Sequence, residues 1–204
     1  MKKEIISKVY NRDCVEAMKE FPDNHFDLAV TDPPYGININ SSGRLGHYGG
    51  KKDWDNETPT AEYFKELVRV SRNQIIWGGN YFDLPPTRCF LIWDKQQPQD
   101  VSFASCEYAY TSFNKSAKTF YMRPQNADDY RIHPTQKPVA LYDWIFQNYA
   151  KEGDLILDTH LGSQSSRIAA HKHKLDFIGF EIDVDYFNEG NKRYETFASQ
   201  LTLF

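Results

Sequence analysis

The sequence is poor in several features that would place it in a common class of protein. Its 204 residues include only three cysteines, Cys14, Cys89 and Cys106. They are odd in number and far apart, so they offer neither a disulfide framework nor a CxxC metal site. We therefore expect a protein of the reducing cytoplasm, without a metal centre.

A basic excess and a long apolar run are also missing. Lys and Arg number 24 against 28 Asp and Glu, which gives a formal net charge of −4. Proteins that coat duplex nucleic acid usually carry a basic excess, so any contact with nucleic acid must be local. No segment approaches the roughly 20 apolar residues of a membrane span, and no signal-peptide pattern is found. We expect a protein that is neither secreted nor membrane-anchored.

The composition suits one folded domain. Hydrophobic residues make up 40% of the chain and aromatic residues 15%, enough for a single core. We expect one domain over residues 1–204. Two polar stretches interrupt it, one rich in Gly, Ser, Asn and Lys at about 36–57 and one at about 114–132, and both are predicted to be mobile loops.

Strand-like and helix-like segments alternate along the chain. Apolar segments typical of strands lie at 5–10, 26–31, 74–77, 89–93, 107–113, 155–158 and 177–181. Thr58 with Pro59, and later Pro138, are expected to begin two of the intervening helices. The alternation predicts an α/β fold with a mostly parallel, doubly wound sheet that binds ligands at the carboxyl ends of its strands.

The first candidate site is Asp32-Pro33-Pro34-Tyr35, directly after a buried strand. Two prolines fix two φ angles and remove two N–H donors, which leaves carbonyl groups beside one carboxylate. Such a cradle only accepts hydrogen bonds, so it suits a planar exocyclic amine whose heterocycle stacks on Tyr35. The alternative is a rigid turn with a surface aspartate and a packing tyrosine.

The second candidate site is the turn from Asp158 to Ser166, followed by Glu181 at the end of the next strand. An acid about 20 residues after a glycine turn is typical of folds that hold a ribose. Gly162 to Glu181 has that spacing, but Gln164 stands where a GxGxxG fingerprint requires glycine. This disfavours NAD and FAD and favours a cofactor with a ribose and no phosphates. The alternative is an ordinary strand-to-helix turn.

These segments together resemble a known family. Asn11–Cys14, Phe26–Gly36, His133–Pro138, Asp158–Ser166 and Gly179–Glu181 look, in this order, like the motifs of the β-class amino DNA methyltransferases. In that class the catalytic half precedes the half that binds S-adenosylmethionine. The resemblance implies a class I methyltransferase fold with circularly permuted motif order. Its seven-stranded sheet would place the first strand beside the last.

The resemblance also implies an activity: transfer of a methyl group from S-adenosylmethionine to the N6 amine of adenine in DNA, as in restriction-modification. Asp32, Pro33, Pro34 and Tyr35 would be catalytic. Asp rather than Ser before the two prolines favours adenine over cytosine.

Seven further residues would bind the cofactor. The implied roles place Asp13 on the adenine and Glu181 on the ribose, with the methionine part near Asp158, Gly162, His133 and Lys137. Ser163 would also contact the cofactor. Taken alone, Asp13 is equally well explained as a helix cap, and Lys137 as a solvated lysine.

Other activities stay open, and the expected partners are DNA and a second copy of the chain. The chain could methylate RNA or a protein amide, or it could be an inactive nucleic-acid-binding subunit, as Gln164 and the acidic charge suggest. Basic and aromatic residues interleave at 44–54 and 115–131 and could contact DNA phosphates and bases. Members of the class often pair, so a homodimer is also allowed.

Overall fold

The computed structural model describes residues 5–37, 55–98, 104–124, 131–133 and 135–201, which contain eight strands, five α-helices and one short 3-10 helix, Gly79–Tyr81. The strands are β1 Ser7–Asn11, β2 Leu28–Thr31, β3 Gln74–Trp77, β4 Phe90–Asp94, β5 Cys106–Thr111, β6 Lys118–Tyr121, β7 Leu155–Asp158 and β8 Asp176–Glu181. The helices are α1 Cys14–Met18, α2 Ala61–Val70, α3 Val139–Tyr149, α4 Ser165–Lys172 and α5 Val184–Leu201. Among these residues, none of the helices combines the length and apolar character that a membrane crossing requires.

The strands form one sheet in the order β1-β8-β7-β2-β3-β5-β4-β6. Only β5 runs antiparallel to its neighbours, β3 and β4. β1 lies beside β8 in parallel register, with Asn11 opposite Glu181. The mostly parallel α/β fold and the adjacency of the first and last strands, both expected from the sequence, are therefore confirmed.

Helices cover both faces of the sheet because the central strands are apolar on both sides. Along β2, Leu28 and Val30 pack into a cluster with α3 and α4, whereas Ala29 belongs to a second cluster with α1 and α2. All three side chains are buried. Continuous burial of this kind is typical of the interior strands of parallel sheets.

The sheet has eight strands, and the expectation of seven is wrong. The additional strand, β6, lies inside the stretch 114–132, which was predicted to be a loop, and pairs in parallel with β4. It is an edge strand, and of its side chains only Phe120 is partly buried, against Trp144 of α3. An exposed edge strand needs no apolar alternation, so its sequence is polar enough to resemble a loop.

Helix starts agree with the sequence in one case and differ in the other. Pro138 directly precedes α3, as expected. Helix α2 is capped by Thr60, whose hydroxyl accepts a hydrogen bond from the Tyr63 amide at 3.3 Å, and not by Thr58. Pro59 then precedes the cap instead of occupying the first turn.

The topology brings most strand ends that carry polar groups to one edge. Because β1, β2, β3, β7 and β8 are parallel, their carboxyl ends all lie at this edge. The reversed β5 begins there instead, which places Glu107 opposite Trp93 of β4 and just beyond the end of β3. We call this edge the carboxyl edge.

Replacing Phe120 with alanine tests the eighth strand. The Phe120 ring centroid lies 5.5 Å from that of Trp144. Phe120→Ala should therefore lower the free energy of unfolding by about 2 kcal/mol. Thr119→Ala, at an exposed position of the same strand, should change it by less than about 0.5 kcal/mol. Urea denaturation measures both, and equal losses would argue against a packed β6.

Candidate active site

A cavity of about 330 Å³ opens at the carboxyl edge. Asp32 and Tyr35 line one part of its wall, and Gly162, Ser163 and Glu181 line another. The two motifs, more than 120 residues apart in the sequence, thus share one cavity of the size range in which proteins bind small molecules.

The tyrosine of the proline segment is held tightly against the carboxylate. The Tyr35 hydroxyl donates to Asp32 Oδ1 at 2.6 Å, and its ring stacks on Tyr81 with 5.0 Å between centroids. Gly78, at φ +69°, lies beneath the ring, and a Cβ there would be 2.1 Å from Tyr35 Cε1. Only glycine therefore fits this position.

A buried acid that sequence reasoning missed fixes the backbone of the segment. Asp55 Oδ1 accepts hydrogen bonds from the amides of Tyr35 at 2.8 Å and Gly36 at 3.1 Å. Asp55 lies in the stretch 36–57 that was predicted to be a mobile loop, yet its side chain is buried and lines the cavity. Residues 38–54 lie outside the described part of the chain.

Lys137 lies on the Asp32 side of the cavity. Its ammonium is 2.5 Å from Asp32 Oδ2 and 3.0 Å from Glu107 Oε2, and Lys95 approaches Glu107 Oε1 at 2.7 Å. The resemblance implied that Lys137 faces the methionine part of a cofactor. The structure pairs Lys137 with Asp32, and its contact with a cofactor stays a prediction. Glu107 and Lys95 were not predicted, because the sequence does not show that β5 is reversed.

Burial and neighbouring charges shift the pKa values in this cluster. Burial raises the pKa of Asp32 above its usual value, Lys137 opposes the shift and Glu107 adds to it. Burial also acts to raise the pKa of Glu107, but Lys137 and Lys95 outweigh it and lower that pKa. For Lys137, burial favours the neutral amine, yet the two carboxylates hold its pKa above normal.

On the other side of the cavity, two acids meet backbone amides. Glu181 Oε2 accepts from Gly162 N at 2.8 Å, and its Oε1 accepts from Asp183 N at 2.9 Å. Asp13 Oδ1 accepts from Glu16 N at 2.9 Å and so caps α1 while lining the cavity. The helix-cap interpretation of Asp13 is confirmed, and its expected contact with a cofactor stays a prediction.

Ser163 and His133 also line this part of the cavity. His133 lies over Gly162, where a Cβ would be 3.6 Å from His133 Cδ2. The His133 ring meets Tyr186 edge to face, with 4.4 Å between centroids. Gly162 has φ +46°, a conformation that favours glycine.

Asp158 does not reach the cavity wall. Its Oδ1 accepts from His160 N at 3.0 Å and its Oδ2 accepts from the Ser166 hydroxyl at 2.5 Å. Burial raises the pKa of Asp158 to about 7. The side chain therefore supports the turn from beneath, and its expected contact with a cofactor stays a prediction.

Hydroxyl groups connect the ends of β2 and β7 below the cavity. Thr31 Oγ1 lies 2.6 Å from Thr159 Oγ1, which is 2.8 Å from the Tyr63 hydroxyl and 2.9 Å from His160 Nδ1. Burial lowers the pKa of His160 to about 4, so its ring is neutral at pH 7. This cluster fixes the distance between the two halves of the site.

Gln164 points away from the cavity. It has φ +58°, its side-chain oxygen accepts from Arg167 at 2.9 Å, and its amide donates to Asn191 Oδ1 at 3.2 Å. The side chain packs against Gly190 of α5. The residue in place of the fingerprint glycine therefore leaves the cavity open, which removes one observation behind the inactive-subunit alternative.

The basic residues considered for DNA contacts lie at different places. Lys115 and Lys118 both bind Asn148 near the end of α3, and Lys118 begins β6, away from the carboxyl edge. Arg123 donates to Gln96 O just beyond the end of β4, on the carboxyl edge. The stretch 44–54 lies outside the described residues.

Comparisons with known proteins identify similar chains. A family model described as DNA methylase, N6_N4_Mtase, matches residues 76–192, more than half of the chain. The matched range includes Lys137, Gly162 and Glu181. The type II methyltransferase M2.MboI of Moraxella bovis is 25% identical over 239 residues, covering 91% of this chain and 86% of the relative.

Solved structures share the fold. The M1.HpyAVI–SAM complex has a TM-score of 0.61 at 20% identity and covers 91% of this chain and 98% of that chain. PvuII DNA methyltransferase, described as cytosine-N4-specific, has a TM-score of 0.64 at 14% identity and covers 96% and 92%. The expected methyltransferase fold is therefore confirmed.

The contact between Gln164 and Gly190 can be tested by a double mutant. A Cβ at Gly190 would lie 2.7 Å from Gln164 Cγ, so Gly190→Ala should lower the free energy of unfolding by about 1–2 kcal/mol. In a Gln164→Gly background the same change should be neutral or stabilise by up to about 1 kcal/mol, because alanine favours helix. The measurement is urea denaturation. Equal destabilisation in both backgrounds would contradict the contact.

Proposed function

The chain belongs to the DNA methylase family, and we propose that it transfers a methyl group from S-adenosylmethionine to the exocyclic N6 amine of adenine in DNA. One observation supports this most: the Asp32–Tyr35 segment and the Glu181–Gly162 pair line the same cavity. An amine held by the first would lie beside a cofactor held by the second. Proximity of this kind removes much of the entropic cost of a two-substrate reaction.

The groups at the cofactor end fit S-adenosylmethionine better than a dinucleotide. Asp13 and Glu181 carry carboxylates, which accept hydrogen bonds from ribose hydroxyls or an adenine amine and repel phosphates. Gly162 lets a ligand approach the turn closely because it has no side chain. When bound, S-adenosylmethionine supplies an electrophilic methyl group. Ser163 and His133 are proposed to contact its methionine part.

Asp32 and the Pro33 carbonyl are proposed to accept the two hydrogens of the target amine. That amine is conjugated with its ring and is a weak nucleophile. Hydrogen bonds that strengthen as the nitrogen becomes tetrahedral would favour the transition state over the ground state. An ionised carboxylate offers about four acceptor positions, so Asp32 can bind an amine while keeping Tyr35 and Lys137.

Duplex DNA hides this amine, so the target nucleotide is proposed to flip out of the helix, at a cost of a few kcal/mol. Tyr81 already covers one face of the Tyr35 ring. The extruded base is proposed to stack on the part of the Tyr35 ring that lines the cavity. Gly78 and Asp55 hold the ring and its backbone in place and reduce the ordering that binding requires.

The proposal includes adenine as the target base and DNA as the substrate. Asp before the two prolines favours adenine through the family resemblance, while one structure of the same fold is described as cytosine-N4-specific. Methyl transfer to RNA or to a protein amide is the competing activity. A homodimer and a cytoplasmic location stay predictions.

The test combines product identity with a mutation. The protein is incubated with unmethylated genomic DNA and tritium-labelled S-adenosylmethionine, and the DNA is digested to nucleosides. We expect N6-methyladenine. Asp32→Ala should slow transfer by more than about a hundredfold, because the acceptor of the amine is lost. Cofactor affinity, measured by calorimetry, should stay within a few-fold.

The control and the contrary outcomes are specific. Asp23→Ala, at an exposed aspartate that pairs with Arg69, should transfer methyl groups as fast as the wild type. N4-methylcytosine as the product would overturn the adenine assignment. Absence of cofactor binding at millimolar concentration, or full activity of Asp32→Ala, would overturn the proposed function.

A further inference from the structure

Four charged side chains of alternating sign extend from the catalytic segment across the sheet. They are Asp32, Lys137, Glu107 and Lys95, joined by the three ion pairs described above. We propose that Glu107 is a positioning residue that shares the Lys137 ammonium with Asp32 and thereby sets how strongly Asp32 accepts hydrogen bonds from the substrate amine. The substrate in this statement rests on the proposed function, whereas the charge arrangement does not.

Burial makes these pairs costly unless each charge is balanced. The Lys137 side chain is only 3% exposed, and those of Asp32 and Glu107 are about one-fifth exposed. A single Asp32–Lys137 pair would already be neutral. A second carboxylate is therefore not needed to neutralise Asp32, and it must itself be paired, which Lys95 does. Charge balance alone does not require a row of four charged side chains.

The extra carboxylate changes what Lys137 does to Asp32. If Asp32 were the only carboxylate near Lys137, the ammonium would interact with Asp32 alone. Asp32 would then be a weak hydrogen-bond acceptor for the substrate amine. With Glu107 Oε2 at 3.0 Å, part of that interaction goes to β5. Asp32 then keeps more negative charge for the substrate while staying ionised.

Other groups around Asp32 do not replace Glu107. The titratable groups that face Asp32 are Lys137 before α3, Glu107 on β5, Tyr142 on α3, Asp158 at the end of β7 and Tyr35 of its own segment. Burial raises the pKa of Tyr35 and of Tyr142 far above normal, so both stay neutral at physiological pH. Asp158 accepts hydrogen bonds from His160 N and the Ser166 hydroxyl. Because burial raises its pKa to about 7, the Asp32 signal itself must be titrated, as in the second experiment below.

The two neighbours of Asp32 affect its ionisation in opposite directions. Beyond the effect of burial, Lys137 lowers the pKa of Asp32 and Glu107 raises it. If the ionised carboxylate is the active form, methyl transfer falls as the pH drops through that pKa. Removing Glu107 should move this acidic limb to lower pH, and removing Lys137 should move it to higher pH.

The first experiment follows methyl transfer in a single turnover, with enzyme in excess over unmethylated genomic DNA and saturating S-adenosylmethionine, from pH 5 to 9. Glu107→Gln keeps the shape of the side chain and removes its charge. We expect its maximal rate to fall about tenfold and its acidic limb to move down by about one pH unit. For Lys137→Met, the limb should move up by at least about one unit.

The second experiment needs neither cofactor nor DNA. The side-chain carboxyl carbon of Asp32 is followed by ¹³C NMR during a pH titration, with the signal assigned by its loss in Asp32→Asn. Glu107→Gln should lower the titration midpoint and Lys137→Met should raise it. If the wild type does not methylate DNA, the proposed function fails, while these opposite midpoints still decide the role of Glu107.

A matched control is Glu66→Gln. Glu66 forms a partly buried ion pair with Arg69 at 2.7 Å on α2, away from the cavity. It should leave both the rate and the acidic limb unchanged. Thermal unfolding checks that each variant folds. If Lys137→Met does not fold, the direction of the Glu107→Gln change decides alone.

A purely structural role for Glu107 predicts something different. Glu107→Gln would then lower stability without moving the acidic limb or the Asp32 midpoint. That result overturns the proposal. So does a shift of the acidic limb in the same direction for Glu107→Gln and Lys137→Met, and so does a maximal rate of Glu107→Gln equal to that of the wild type.

Discussion

The buried ion pair between Asp32 and Lys137 is the constraint on which the site depends. A carboxylate taken out of water is costly unless a cation or hydrogen-bond donors compensate it. Lys137 lies in the segment that leads into α3, so the pair ties the end of β2 to the start of a helix from the second half of the chain. The cavity between the two motifs takes its shape from this link.

The same constraint explains why several unrelated positions are restricted. The Tyr35 hydroxyl donates a further hydrogen bond to Asp32. The Tyr35 ring can take this position only because residue 78 is a glycine, since a Cβ there would clash with the ring. Asp55 holds the backbone amides of the same segment. Rigidity here lowers the reorganisation that a reaction at Asp32 would require, in line with preorganised polar sites in enzymes.

Sequence patterns predicted the interior strands and the edge strand β1, but they missed the edge strand β6. Buried parallel strands such as β2 and β7 are continuous apolar runs, which can be recognised without knowing their neighbours. The edge strand β6 has no such run, since solvent takes the place of a packing partner on most of its surface. The paired positions of Asp13 and Glu181 at one cavity followed from the motif order, because parallel strands end at a common edge.

Long-range contacts of single side chains could not be predicted in the same way. Lys137 was identified as a site residue, but its partner depends on how the strands after β3 are ordered and oriented. Gln164 shows the reverse situation: a departure from a motif was visible in the sequence, while its harmless outcome depends on Gly190, 26 positions later, having no side chain. Local patterns carry no information about such pairs.

Because β5 is reversed, the carboxylate that shares Lys137 with Asp32 depends on how β5 aligns with β4. Side chains alternate between the two faces of a sheet, so a slip of one residue in the pairing of β5 with β4 would exchange Glu107 for Cys106 or Tyr108. Such a slip would remove the second carboxylate from the Lys137 ammonium although every residue of the Asp32–Tyr35 segment stayed the same.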